Sequence, residues 1–173
     1  MSQVISYMDK AVGVTPAADH NAGTAFPNDG TIPALTGFTD GQTITVESKV
    51  TLTSAVNQVA TGDIIVGLPI PPLHVPVDCF IIADDMDSGT TVTLTVAELN
   101  QDFTDIVANT SFITASTVGQ AGGVARATVV DGLRLPPVTR NRWIGIKVAA
   151  GVTGLNANAV LSLVVSYRPS NAD

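Results

Sequence analysis

The side chains that could act as nucleophile and base are few and widely separated. The chain has one cysteine, Cys79, and two histidines, His20 and His74. Nucleophilic catalysis needs a serine or cysteine beside a base, which is usually histidine. The odd separation between His74 and Cys79 places their side chains on opposite faces of a regular strand. Cys79 lies in the apolar run CFIIA, so we interpret it as a buried, unreactive thiol.

The most concentrated set of possible metal ligands is the segment DDMDSG at residues 84–89. Asp85, Asp87 and the carbonyl group of Gly89 resemble the start of a calcium loop, where oxygens at alternate positions converge. The glutamate expected at the twelfth position of such a loop is missing, because Val96 stands there. An Asp-Ser-Gly turn between two strands explains the same residues without a metal. We therefore predict a turn, and Asp85 and Asp87 are kept as weak calcium candidates.

The same carboxylates leave one enzymatic interpretation open, in which Asp84, Asp85 or Asp87 serves a glycoside hydrolase. Such enzymes use paired carboxylates, and their sugar-binding clefts are lined with aromatic side chains. The chain has one Trp and two Tyr, and both Trp143 and Tyr167 lie in apolar segments that suit a core. Two distant histidines also cannot supply a zinc centre or a cupin-type metal centre. The sequence therefore predicts a protein that is not an enzyme and needs no cofactor.

The elements that would position these residues are strands. Of the 173 residues, 23 are Val, 12 are Ile and 21 are Thr, and β-branched side chains favour pleated strands over helices. Apolar and polar residues alternate in several segments bounded by Gly, Pro and Asp, which is typical of a β-sandwich or jelly roll. The predicted strands lie at residues 42–52, 63–67, 74–83, 90–99, 127–131, 142–150 and 159–167. Helical spacing of Leu99, Phe103, Ile106 and Val107 predicts a helical turn or a loop there.

Net charge and apolar patterning exclude two classes of partner. The 15 acidic and 8 basic residues give a net charge of −7, whereas a nucleic-acid-binding protein needs a basic surface. The N-terminal segment lacks the basic start and apolar run of a signal peptide, and no apolar stretch is long enough to span a membrane. We predict neither a nucleic-acid partner nor a membrane partner, and synthesis in a reducing cytoplasm.

The charges are unevenly distributed along the chain. Seven acidic residues fall within residues 78–105, whereas six basic residues and one opposing acid fall within 126–168. Two poles of opposite sign could pair with a second copy or with another partner. Folding could equally bring the two segments together and cancel the asymmetry.

Residues 1–41 differ from the rest of the chain, because no apolar period of 2 or 3.6 is sustained there. We predict an extended N-terminal arm at 1–41, followed by a jelly-roll β-domain at 42–173; a disordered tail is the alternative. An arm of this kind would fold against a neighbouring subunit by placing isolated apolar residues in its pockets. The candidates for this partner binding are Val12, Phe26, Ile32, Leu35 and Phe38.

Three segments carry a resemblance to a known group of proteins. A strand ending in Asp-Asp-Met-Asp-Ser-Gly, the loop STVGQAGG at 116–123, and a closing strand ending in Tyr-Arg-Pro together span about residues 60–169. This pattern resembles the jelly-roll virion proteins of tailed bacteriophages. Many of these are capsid decoration (cement) proteins, and others belong to the neck, tail or fibre.

The resemblance implies a structural virion protein that decorates and stabilises a phage capsid. Its expected partners are the major capsid protein and further copies of itself, as a homotrimer. Its expected place is the capsid exterior, after synthesis in the host cytoplasm. The alternative is a neck, tail or fibre module that recognises a receptor on the host surface.

Overall fold

The computed structural model describes residues 43–52 and 59–170, together with the backbone of residues 4–6. These ranges consist largely of strands, as the composition predicted. In chain order the strands are β1 (Val4–Ser6), β2 (Ile44–Thr51), β3 (Ile64–Ile70), β4 (His74–Ala83), β5 (Thr93–Glu98), β6 (Ile113–Ser116), β7 (Gly123–Arg126), β8 (Arg142–Ala150) and β9 (Val160–Pro169). A 3-10 turn at Val118–Gln120 and a one-turn helix α1 at Val130–Leu133 lie between them.

The strands form two packed sheets with jelly-roll connectivity. One sheet has the order β2-β9-β4-β7, and the other has the order β1-β3-β8-β5-β6. We call them the four-stranded and the five-stranded sheet. From β2 to β9 every connection changes sheet except that from β5 to β6, which joins antiparallel neighbours. The predicted jelly-roll-like β-sandwich is confirmed.

The core lies between the sheets, where the inward side chains of neighbouring strands are in register. On the four-stranded sheet Cys79 is paired with Val165, and Ile81 is paired with Leu163; all four residues are buried. Ile144, Ile146 and Val148 of β8 belong to the same buried cluster from the opposite sheet. Burial therefore alternates along most of β4, which has one face in contact with the core, whereas β8 is buried on both faces from Arg142 to Ile146.

Strand β3 extends beyond the predicted strand at 63–67, because it continues into the segment PIPP at residues 69–72. It continues to Ile70, and Pro69 is paired with Trp143 of β8. The register of this pair shifts between Val66 and Leu68. Gly67 lies at this irregularity, where a Cβ atom would collide with the Leu163 side chain and the Ile144 carbonyl oxygen. Glycine is therefore required here by close packing.

The strand predicted at 127–131 is wrong. Strand β7 lies earlier, at Gly123–Arg126, and helix α1 begins at Val130. The physical reason is a set of backbone hydrogen bonds to residues 111–112: the N–H groups of Thr128 and Val129 donate to the Phe112 carbonyl oxygen, at 3.0 and 3.1 Å. The segment therefore follows the Phe112 backbone and does not continue along β4.

The segment with helical spacing, residues 99–107, forms a loop, which was one of the two predicted forms. An antiparallel bridge joins Leu99 to Ile106. Phe103 contacts Trp143 edge-on, with 5.5 Å between ring centroids. A second small cluster, formed by Ile64, Val66, Leu99 and Trp143, is covered by Phe103 and Ile106. The outward side of the five-stranded sheet is therefore partly shielded by this loop.

Three residues of the predicted arm belong to the sandwich edge. Val4–Ser6 are paired in parallel with Ile64–Val66 of β3. The remainder of the 1–41 segment lies outside the described residues, so the arm and its boundary near residue 42 stay predictions. In the described part of the chain, no helix has the length and apolar character required to cross a membrane.

Candidate interaction surfaces

The acidic segment 84–89 is a turn whose central carboxylate is buried. Asp87 is 1% exposed, and its two oxygens accept seven hydrogen bonds from N–H and O–H groups. The donors are Gly89 N, Thr91 N, Thr91 Oγ1, Val92 N, Thr153 N, Thr153 Oγ1 and Gly154 N, at 2.9 to 3.3 Å. Asp87 therefore fastens the 84–92 turn to the loop that precedes β9.

Hydrogen bonding determines the protonation state of this carboxyl group. Burial alone would raise its pKa, but the N–H groups of Thr91, Val92, Gly89 and Gly154 hold the pKa of Asp87 well below its usual range. Donors favour the charged form because they point their positive ends at the oxygens. Asp87 is thus an ionised anchor inside the fold.

The carboxylates of Asp84 and Asp85 also bind the segment between β8 and β9 or the start of β9. Asp84 Oδ2 accepts a hydrogen bond from the Val160 N–H at 2.9 Å, and Asp85 Oδ1 accepts one from Asn156 Nδ2 at 3.0 Å. A calcium ion at Asp85 and Asp87 would have to displace donors that already satisfy these oxygens. The geometry favours the turn over the calcium loop. Among the described residues, no group of three His, Cys, Asp or Glu is placed to hold a metal ion.

Among the described residues, four ion pairs connect the acidic and basic segments of the chain. They join Asp78 to Arg126 at 3.0 Å, Glu98 to Arg140 at 2.8 Å, Glu98 to Arg142 at 2.8 Å, and Asp105 to Lys147 at 2.6 Å. The Lys147 ammonium and the Ile106 N–H hold the pKa of Asp105 below its usual range. Folding therefore pairs acids of the first segment with bases of the second. Of the two alternatives, cancellation of the asymmetry agrees with these contacts.

One of these pairs is buried. The side chains of Glu98 and Arg142 are 4% and 3% exposed. Arg142 donates from Nε to Glu98 and from Nη2 to the Pro136 carbonyl oxygen, both at 2.8 Å, while Nη1 has no hydrogen-bond partner among the described residues. The guanidinium charge thus depends on Glu98, and the pair fixes the loop before β8.

The cysteine and histidine that could form a nucleophilic site do not do so. Cys79 is fully buried on the inward side of β4. Burial, and secondarily the charge of Asp78, raises the pKa of the Cys79 thiol. His74 Nδ1 lies 2.7 Å from the Pro72 carbonyl oxygen, and its ring contacts Tyr167 edge-on. His20 lies outside the described residues.

The outward side of the four-stranded sheet bears an apolar area on β4, β7 and β9. Ile82 is paired with Val124, and these side chains are 41% and 64% exposed. Phe80 is paired with Val164 of β9, and the Arg126 guanidinium lies 5.2 Å from the centre of its ring. We call Phe80, Ile82 and Val124 the outer apolar face; Val164, beside Phe80 on β9, is only 6% exposed and adds little area to it. On the five-stranded sheet, the corresponding outward surface is partly covered by the 99–107 loop.

Solved structures show what this architecture is similar to. A chain in the capsid of Ralstonia phage GP4 shares 33% sequence identity, with a TM-score of 0.69 over 79% of this chain and 90% of that chain. This chain belongs to a family of bacteriophage capsid proteins. It is a structural component of a phage virion.

A second solved structure has the same fold. A chain of the cyanophage Pam1 capsid asymmetric unit matches the capsid protein with 24% sequence identity and a TM-score of 0.57. The match covers 76% of this chain and 88% of the cyanophage chain. Comparison with models of protein families found no match, and neither did comparison with curated proteins.

The partner-binding residues predicted for this capsid protein cannot be compared with the fold. Val12, Phe26, Ile32, Leu35 and Phe38 all lie outside the described residues, and their role stays a prediction.

Sequence reasoning missed the outer apolar face. Its signal was present in the unbroken run from Phe80 to Ile82, where a strand with one wet face would alternate.

Proposed function

We propose that this capsid protein decorates and stabilises the phage capsid from the outside, by binding the major capsid protein and neighbouring copies as a homotrimer. The observation that carries the proposal is the outer apolar face on a member of a capsid protein family. Exposed apolar patches mark sites of contact with other proteins, and four of the seven lysines and arginines in the described residues already pair within the chain. The role requires no catalytic group, cofactor or nucleic acid.

The outer apolar face is too small to attach the protein to the capsid shell by itself. The outer apolar face spans at most three strands and about three residues along each, which from strand spacing and rise gives roughly 15 Å by 10 Å, or about 150 Å². A stable protein–protein interface buries about 800 Å² on each partner. The face alone is therefore too small, and further contacts must come from the arm and from several copies acting together. Binding only to the assembled shell then stabilises it by mass action.

The arm is proposed to supply part of this area. Each of its five apolar candidates contributes about 1.5–3 kcal/mol if fully buried on a partner. Fixing an extended backbone costs about 1–2 kcal/mol per residue, so backbone hydrogen bonds to the partner are also required. We therefore expect the arm to become ordered on a neighbouring subunit or on the shell.

A serine variant of the arm tests this proposal. Replacement of Val12, Phe26, Ile32, Leu35 and Phe38 by serine should leave the melting temperature within about 3 °C of the wild type. The same variant should bind about ten-fold less to particles assembled without this chain, as measured by co-sedimentation. Deletion of residues 1–41 should have the same effect on binding.

The outcomes separate two errors. Loss of folding in both variants would mean that the arm belongs to the sandwich and that the boundary near residue 42 is misplaced. Unchanged binding with normal folding would show that the arm does not attach the protein. The serine variant is the more informative of the two, because it retains Val4–Ser6 of β1.

A further inference from the structure

Strand β2 forms the longest open edge among the described strands. It stands at the end of the four-stranded sheet, and β9 is the described strand with which it pairs. Strand β2 has eight residues, whereas the other edge strands β1, β6 and β7 have three or four each. A long edge presents a row of backbone hydrogen-bonding groups to another chain.

The backbone groups on the outer side of β2 belong to its odd-numbered residues. The Leu52 N–H donates to the Ala159 carbonyl oxygen at 2.8 Å. Residues of an antiparallel strand alternate between those that bond to one neighbour and those that face the other side. The N–H and C=O groups of Thr45, Glu47 and Lys49 therefore point away from β9, toward the open edge.

Strand β2 lacks two of the devices that usually prevent an edge from pairing with another chain. It contains no proline, and its register with β9 is unbroken along the whole strand. Register shifts occur instead where β3 pairs with β8, where β4 pairs with β9, and on both sides of β5. The remaining protection is a pair of exposed charges, Glu47 and Lys49. Such charges repel most partners but select a partner with the complementary pattern.

A second copy of β2 has that complementary pattern in one register. When two β2 strands pair antiparallel about a two-fold axis at Ser48, Glu47 of each copy lies opposite Lys49 of the other. An axis at Glu47 or at Lys49 would instead place two like charges opposite each other. Opposite charges across a strand pair stabilise it, whereas like charges destabilise it. Within the described residues, neither Glu47 nor Lys49 has an ion-pair partner.

The backbone and the inward side chains agree with the same register. Glu47 and Lys49 both direct their N–H and C=O groups outward, so facing residues exchange hydrogen bonds. On the inward side, Val46 of one copy lies opposite Val50 of the other. Facing residues point to the same side of a sheet. The two four-stranded sheets therefore join into one, and both outer apolar faces lie on the same side of it.

We propose that two copies of this protein join through their β2 edges, as an antiparallel pair with its two-fold axis at Ser48. This inference rests on the part of the proposed function that places neighbouring copies in contact, and it identifies the strand that joins them. A two-fold contact differs from the contacts within a trimer, so the β2 pair links one trimer to the next.

The size of the β2 contact determines where it forms. From strand rise and sheet spacing, the edge covers roughly 27 Å by 10 Å, or about 270 Å². A stable interface buries about 800 Å² on each partner. The pair is therefore weak in dilute solution and becomes stable where copies are held close together on the shell.

Charge reversal in the full-length protein tests the pairing. Glu47→Lys and Lys49→Glu each place like charges opposite each other twice in one interface, so each should weaken two-fold self-association at least about ten-fold. Sedimentation equilibrium at high protein concentration measures this step. The double variant, Glu47→Lys with Lys49→Glu, restores opposite charges and should associate within about three-fold of the wild type. The single variants change the net charge in opposite directions, so a general charge effect cannot weaken both.

A disulfide at the axis tests the register. Facing residues of a non-hydrogen-bonded pair have Cα atoms about 4.5 Å apart, which a disulfide can span. Ser48→Cys should therefore give a covalent dimer with oxidised glutathione, in solution and on particles that carry the variant. Val46→Cys, on the same side of β2, is the matched control. Its two thiols lie more than about 13 Å apart in this register, so it should not cross-link. The native Cys79 is buried.

Each contrary result has one meaning. If both single charge variants associate like the wild type, or if Ser48→Cys forms no dimer in solution or on particles, β2 pairing is wrong. A dimer of Val46→Cys in place of Ser48→Cys would overturn the register. If the five-serine arm variant loses association that charge reversal leaves intact, a neighbour's arm occupies the edge and the proposal is wrong. Failure of the wild type to bind particles would overturn the decorating function alone, because self-association is measured without particles.

Discussion

Replacement of Asp87 by asparagine is expected to lower the melting temperature by at least about 10 °C. The two oxygens of Asp87 accept seven hydrogen bonds from the 89–92 and 153–154 segments. Asparagine has one acceptor oxygen, and its NH₂ group would face donors such as the N–H groups of Thr91 and Val92. Calorimetry of the full-length variant measures the effect.

The control for this variant is Asp85→Asn, which lies two residues away. Asp85 is exposed, and its Oδ1 accepts hydrogen bonds from Asn156 Nδ2 at 3.0 Å and from the Asp87 N–H at 3.3 Å. Because asparagine retains one acceptor oxygen for these two donors, the melting temperature of the Asp85→Asn variant should fall by no more than about 3 °C. Equal effects of the two substitutions would contradict the anchoring role of Asp87.

The same anchor has a predictable pH dependence. Because the folded-state pKa of Asp87 is lowered, its ionised form contributes stability in full above the unfolded pKa of about 4. That contribution is lost as the pH falls from about 4 toward the folded-state pKa. The difference in melting temperature between wild type and Asp87→Asn should therefore be constant above about pH 5 and shrink below about pH 4.

Replacement of Glu98 by glutamine should have a comparable effect through a different cause. It leaves the buried Arg142 guanidinium without its counter-charge, and removing one partner of a buried pair costs roughly 3–5 kcal/mol. The melting temperature should fall by about 10 °C. A double variant, Glu98→Leu with Arg142→Met, should recover most of the loss, because no unpaired charge remains.

The matched control is the exposed pair of Asp78 and Arg126. The Arg126 side chain is 68% exposed, and pairs of this kind contribute at most about 1 kcal/mol. Arg126→Gln should therefore change the melting temperature by less than about 3 °C. If Glu98→Gln is equally mild, the pair does not hold the loop before β8.

The alternating segment predicted as a strand at 42–52 corresponds to β2, along which burial alternates. The interpretation of 74–83 and 142–150 matches β4 and β8 at both ends. Strand β6 at Ile113–Ser116 went unrecognised, because the segment is short and Thr114 and Ala115 are both exposed. Strand β7 was misplaced because Val129 and Val130 suit a strand locally, whereas the contact with Phe112 is a property of the tertiary fold.

Contacts between residues far apart in the sequence also explain why the candidate sites could be predicted only in part. The segment 84–89 was predicted as a turn from its residue types. The donors from Thr153 and Gly154 lie 66 and 67 residues from Asp87, and no local pattern could indicate them. The ion pairs likewise join residues about 40 or more positions apart, so the uneven charge along the chain did not predict the charge of the folded surface.

Electron microscopy of the native phage particle tests the decorating function most directly. The account predicts density for this sandwich on the outer surface of the capsid shell, grouped in threes around three-fold axes. Arm density should reach a neighbouring subunit or the shell. Density for the sandwich at the neck, tail or fibres, or on the inner surface of the shell, would contradict it.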